Sequence, residues 1–180
     1  MLRGFRPLTR EDFARVATWL DESDEAPWWR DRQGPDDLEA TYGPAVDGHD
    51  PTEVRIVTVG DTAVGLVQRY RTGGEAAWRA ALAPAGVPID AFGIDYLIGD
   101  PGRIGGDLGT RTIAAFLADS WDRYPEATGC VVGVHRDNRR SLRAPDRVEF
   151  VAVREGELDS DEPGDEEPQV VLVLRRPTCC

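Results

Sequence analysis

Residues able to do chemistry concentrate in one stretch, Gly93-Ile94-Asp95-Tyr96-Leu97-Ile98-Gly99-Asp100-Pro101-Gly102-Arg103-Ile104-Gly105-Gly106-Asp107-Leu108-Gly109-Thr110. The apolar run Phe92 to Ile98 predicts a strand and Gly99 to Gly109 a glycine-rich turn. Thr110 to Trp121 predicts a helix with Ile113, Phe116 and Leu117 inward. Backbone N–H groups in such a turn, together with the unpaired N–H groups of the helix start, form a cradle for a phosphate or pyrophosphate. No Gly-Lys-Ser/Thr follows, so the turn is not a P-loop. A hairpin precedes it instead of the first strand of a βαβ repeat, which makes it a poor dinucleotide fingerprint. Asp95 stands in mid-strand, where Asp is disfavoured, so its place there asks for a reason beyond strand formation. Trp28 and Trp29 follow Pro27 in a loop; they either pack in a core or offer a stacking wall for a sugar ring and a cation–π surface for an ammonium. His49 and His135 have no ligand spacing. Cys130, Cys179 and Cys180 are too few and too unevenly spaced for a disulfide framework or a zinc cage. No Ser-His-Asp constellation is visible.

These residues need a scaffold, and the rest of the chain supplies its pattern. Leu2 to Leu8 reads as a first strand. Thr9, with Asp12 three residues on, opens a helix whose Phe13, Val16, Ala17 and Leu20 share one face. Gly34-Pro35 opens a second helix carrying Leu38, Tyr42 and Val46, and Gly43-Pro44 is expected to interrupt it. Val54 to Val59 and Thr62 to Tyr70 form a hairpin about Gly60-Asp61. Thr72 to Asp90 is expected to be irregular. Gly129 to Val134 is a strand, and Asn138 caps a helix from Arg139 to about Ala144 that Pro145 shortens. Phe150 to Glu157 and Gln169 to Arg176 are strands around a solvated acidic loop. The sum is a mixed α/β sheet in a single domain over residues 1–180.

Composition narrows the partners. Asp plus Glu number 33 against 21 basic residues, every one of them Arg, for a net charge of −12. A phosphate backbone is a poor partner for such a chain, so nucleic acid is not expected, whereas a cationic ligand is compatible. No apolar run approaches ~20 residues, and Met1 to Arg10 has no apolar core of a signal peptide. The expectation is a cytoplasmic protein without a membrane partner.

Several segments together resemble the GNAT superfamily of acetyl-CoA-dependent N-acetyltransferases, in particular the aminoglycoside 6'-N-acetyltransferase branch and its siderophore-biosynthetic relatives. They are Phe5-Arg6-Pro7-Leu8, Trp28-Trp29, the hairpin, Gly93-Ile94-Asp95, Leu108-Gly109-Thr110, Asp137-Asn138 and Ser141-Leu142-Arg143-Ala144. The resemblance implies a GNAT-like α/β fold: a central, mixed, mostly antiparallel sheet flanked by helices, with a V-shaped splay between strands 4 and 5 that holds acetyl-CoA. It implies cofactor contacts from Ile98, Arg103, Ile104, Gly105, Gly106, Asp107, Leu108, Gly109, Thr110 and Asn138. It further implies that Asp95 binds the amine and takes its proton, with Glu75, Trp28 and Trp29 as acceptor-site residues. The implied activity is acetyl transfer to a primary amine of a cationic small molecule, an aminoglycoside being favoured, hence resistance, by a monomer or homodimer and without a metal. The alternatives are a non-catalytic GNAT-like aminoglycoside-binding protein and a siderophore-type acyltransferase.

The chain departs from the family pattern at four places. The Q/R-x-x-G-x-G/A turn fits in two registers, one setting Asp107 at the first glycine and the other Leu108 at the last place. A carboxylate ~6 Å from a phosphate charge costs ~3 kcal/mol at an effective dielectric of ~20, so Asp107 must point away or weaken cofactor binding. Pro145 replaces a Tyr thought to protonate the leaving thiolate, and Glu149-Phe150 replaces Gly-Phe. Gly133 replaces an acceptor-site Asp.

Overall fold

Strand β1 (Leu2–Pro7) leads through a 3-10 turn (Arg10–Asp12) into helix α1 (Phe13–Glu22). After α2 (Pro35–Val46) come β2 (Glu53–Val59), β3 (Thr62–Arg71), β4 (Phe92–Ile98), α3 (Leu108–Arg123), β5 (Gly129–His135), α4 (Arg139–Asp146), β6 (Val151–Gly156) and β7 (Gln169–Arg175). The protein is described by a computed structural model over residues 2–22, 28, 35–73, 79–80, 82–103, 107–157 and 168–177. Among the described residues, seven strands follow one another in the hydrogen-bonded order β1-β2-β3-β4-β5-β7-β6. The order of elements and the mostly antiparallel pairing are those expected from the sequence. The chain packs as two compact units, Met1–Arg69 with Tyr96–Thr112, and Tyr70–Asp95 with Ile113–Cys180.

In the first unit β1 pairs antiparallel with β2, Phe5 opposite Val57, and β2 with β3, Ile56 opposite Leu66. The tight turn between β2 and β3 rests on Gly60 at φ 63, a conformation that costs glycine nothing. Phe13, Val16, Trp19 and Leu20 of α1 pack with Leu38 and Tyr42 of α2 onto Val54, Ile56, Leu66 and Leu97, which is the apolar face the helical spacing foretold. The entry to α1 is fixed by Asp12, nearly buried, whose carboxylate accepts from Arg6 at 2.6 and 2.7 Å and from the Thr9 N–H and hydroxyl at 3.1 and 3.0 Å. Contrary to the expected interruption, α2 runs through Gly43-Pro44. Pro44 falls in the last turn, where little helix remains to break, and its carbonyl accepts from the N–H groups of His49 and Asp50 at 2.8 and 3.1 Å.

In the second unit β5 pairs with β7 along its length, and β7 with the edge strand β6, all antiparallel. The β4–β5 pairing is parallel and consists of Phe92 with Cys130 and Gly93 with Val131. Ile113, Phe116 and Leu117 of α3 are buried as expected. The Phe92 ring meets Trp121 edge-on at 4.8 Å and Tyr124 at 5.4 Å. The guanidinium of Arg176 closes the end of α3 by donating to the carbonyls of Trp121, Tyr124, Ala127 and Pro125. Helix α4 extends to Asp146 with Pro145 inside it, two residues beyond the expected end at Ala144. Within the segment Thr72 to Asp90, expected to be irregular, the described residues include a 3-10 turn at Ala83–Ala85.

Candidate active site

The sequence at the end of β4 builds a set of backbone donors in the first unit. Ile98 is buried, and the N–H groups of Gly99 and Asp100 donate to the Val64 carbonyl at 3.0 and 3.2 Å. Gly99 is required there, because a β-carbon would fall inside the Trp19 indole. Asp100 folds the chain after it: Oδ1 accepts from the Gly102 N–H at 3.0 Å and Oδ2 pairs with Arg103 Nε at 3.1 Å. The Asp107 carbonyl accepts from the Arg111 N–H at 2.9 Å, so α3 begins just after it. The N–H groups of Leu108, Gly109 and Thr110 are then the orphan donors of the first turn, with no acceptor among the described residues.

An Asp at this position ordinarily turns its carboxylate back onto those groups as a cap. The Asp107 side chain makes no such bond and is exposed. Among the described residues these donors are unanswered, and a helix start of this kind suits a ligand of negative charge such as a pyrophosphate. The described residues fit the phosphate end of acetyl-CoA, with Asp107 exposed and unpaired there as a group of the wrong sign and Asp100 answered by Arg103. Ile104, Gly105 and Gly106 lie outside the described residues.

In the second unit Asp95 is half-buried in the middle of β4. Its charge is felt at the Cys130 thiol, which burial pushes well up in pKa and which the Asp95 carboxylate raises further. Alternation along the strand sets Gly93 and Asp95 on one face. The hydroxyl end of Tyr70 occupies the space a β-carbon at Gly93 would take, with Cζ 2.5 Å and Oη 2.8 Å from that position. Sequence reasoning passes over Tyr70; the signal that could find it is Gly93, since a glycine inside a strand marks a close approach.

Asn138, expected at the cofactor, caps α4, its Oδ1 accepting from the Ser141 N–H at 3.0 Å. His135 Nδ1 accepts from the Asp137 N–H at 3.1 Å. Trp28 is half-buried, whereas Trp29 and Glu75 lie outside the described residues. Among the described residues no group of His, Cys, Asp or Glu is arranged to hold a metal ion, and no helix is long and apolar enough to cross a membrane.

The chain is 26% identical over 150 residues to aminoglycoside N(6')-acetyltransferase type 1 of Klebsiella pneumoniae, covering 81% of this chain and 72% of that relative. Among solved structures it is similar to aminoglycoside acetyltransferase AAC(6')-Ib in complex with coenzyme A, with a TM-score of 0.78, 25% identity, and coverage of 96% of this chain and 94% of that one. The same enzyme with coenzyme A and kanamycin gives a TM-score of 0.77 at 25% identity and the same coverage. Residues 9–158 match the acetyltransferase (GNAT) domain model, most of the chain's length, and the chain belongs to the GNAT family of acetyltransferases.

Proposed function

We propose that the protein acetylates a primary amine of an aminoglycoside, works as one acetyltransferase domain in the cytoplasm, and confers resistance. Bound acetyl-CoA supplies the acetyl group as a thioester. The observation that carries the reading is the run from Asp95 to Thr110, in which one piece of chain bears both a half-buried strand carboxylate and three helix-start backbone donors that find no acceptor among the described residues. In this reading the N–H groups of Leu108, Gly109 and Thr110 hold the pyrophosphate. Ile98, Arg103, Ile104, Gly105, Gly106, Asp107 and Asn138 complete the cofactor contacts.

Asp95 accepts hydrogen bonds from the acceptor ammonium, takes a proton from it directly or through water, and so leaves a neutral amine able to form the amide. Glu75, Trp28 and Trp29 add carboxylate and aromatic surface for a cationic sugar. The net charge of −12 favours a polycation and disfavours nucleic acid and anionic membranes. The 6' amine is the expected position, from the names of the relatives.

Separate calorimetric titrations with acetyl-CoA and with kanamycin test the reading. Binding of both is expected. Absence of kanamycin binding at low salt removes the substrate assignment and leaves the family in place.

A further inference from the structure

Gly93 carries no side chain because Tyr70 fills that space. An added β-carbon would lie 2.5 Å from Tyr70 Cζ and 2.8 Å from Oη, well inside contact distance. The phenol end is thereby delivered to the face of β4 that Asp95 shares, one pleat repeat of ~7 Å away along the strand. Tyr70 is half-buried. Next to the pair, Thr72 N–H donates to the Ala91 carbonyl at 3.3 Å, and Thr72 Oγ1 to the same oxygen at 2.8 Å, which ties the residue after β3 to the residue before β4.

We propose that Tyr70 is a specificity-determining residue of the acceptor site, its hydroxyl hydrogen-bonding a polar group of the acceptor beside the amine that Asp95 holds. The proposal rests on the acetyltransferase reading above, with Asp95 facing the amine. A phenol is suited to this role, since it both donates and accepts and adds an aromatic face for a sugar ring or ammonium. It also explains the glycine: any larger residue at position 93 would displace the phenol and with it one acceptor contact.

The test is steady-state kinetics of wild type, Tyr70→Phe and Gly93→Ala with kanamycin and acetyl-CoA, with thermal melting as a check on folding. Tyr70→Phe keeps the ring and loses one hydrogen bond. The expected result is a rise in the kanamycin KM of about 3–10-fold, with kcat and the acetyl-CoA KM within about 2-fold. Gly93→Ala, if it melts like wild type, should raise the same KM. A Tyr70→Phe enzyme whose kanamycin KM stays at the wild-type value overturns the proposal while leaving the proposed function standing. Wild type that does not acetylate kanamycin overturns both, so the two failures are told apart.

Discussion

Asp95 and Asp107 are both acidic residues near the expected acetyl donor, and their surroundings give them opposite prospects. Asp95 is half-buried in a strand, where its charge acts through protein on the Cys130 thiol. Asp107 is exposed at a helix start and bonded to none of the donors beside it. Asp95→Asn is expected to lower kcat by at least about 100-fold with acetyl-CoA affinity unchanged, since it removes a base and no phosphate contact; single-turnover rates and a calorimetric titration check this. Asp107→Asn should tighten acetyl-CoA by no more than about 5-fold in dilute buffer, and the difference should vanish in high salt, because an exposed charge is screened. Titration of both proteins at two ionic strengths measures it. These two residues are legible in the sequence because an Asp in mid-strand and a glycine-rich helix start are each unusual. Asn138 is legible as a cap and only by resemblance as a cofactor contact; the cap is what the geometry displays. Tyr70 is not legible, because which residues of β3 and β4 lie opposite is fixed by register and not by composition.

The pattern-driven elements behave as their sequences dictate, and the punctuating residues do not. The hairpin about Gly60 and the apolar faces of α1 and α3 follow from turn chemistry and helical period. Pro44 and Pro145 read as stops in the sequence, yet both lie inside helices near their ends, where the lost hydrogen bond matters least. Glu149 is the only non-glycine residue among those described with a positive φ, at 69°. Glu149→Gly should therefore stabilise the fold by up to about 1.5 kcal/mol, the left-handed penalty of ~1–2 kcal/mol less the entropic cost of glycine of ~0.5–1 kcal/mol; urea denaturation reads the change. At the start of α1 the Arg6 guanidinium holds the Asp12 carboxyl below its ordinary pKa, with the Thr9 N–H and hydroxyl adding to the effect. A carboxyl depressed in the folded state stabilises above its unfolded pKa of ~4, and that stability is lost as pH falls through the folded value. Melting temperature should accordingly drop below about pH 4, and Asp12→Asn should flatten that part of the profile while melting lower at neutral pH.

At the scale of the molecule, the chain would bring a strongly acidic surface to the cationic substrate proposed for it, with 33 acidic residues and no lysine. Some of that charge is answered locally: Arg10 bridges Glu39 and Asp47 at 2.6 and 2.8 Å, and Arg71 pairs with Glu126. The remainder sets a field that draws a polycation and fades with ionic strength. Kanamycin affinity should fall as salt rises, whereas a neutral amine should show no such dependence. Fold class is the most legible property of the sequence, since seven strands and the helices between them follow from local pattern and their order restricts the topologies available. The substrate is the least legible, because one fold hosts many acceptors and the discriminating groups come from separate elements. The most direct measurement is incubation of the purified protein with acetyl-CoA and kanamycin, following thiol release and the mass of the product, with Asp95→Asn beside it. The account predicts singly acetylated kanamycin formed with one equivalent of free thiol, and near-complete loss of both in the variant. Thiol release without acetylated kanamycin, or undiminished acetylation by Asp95→Asn, would contradict it.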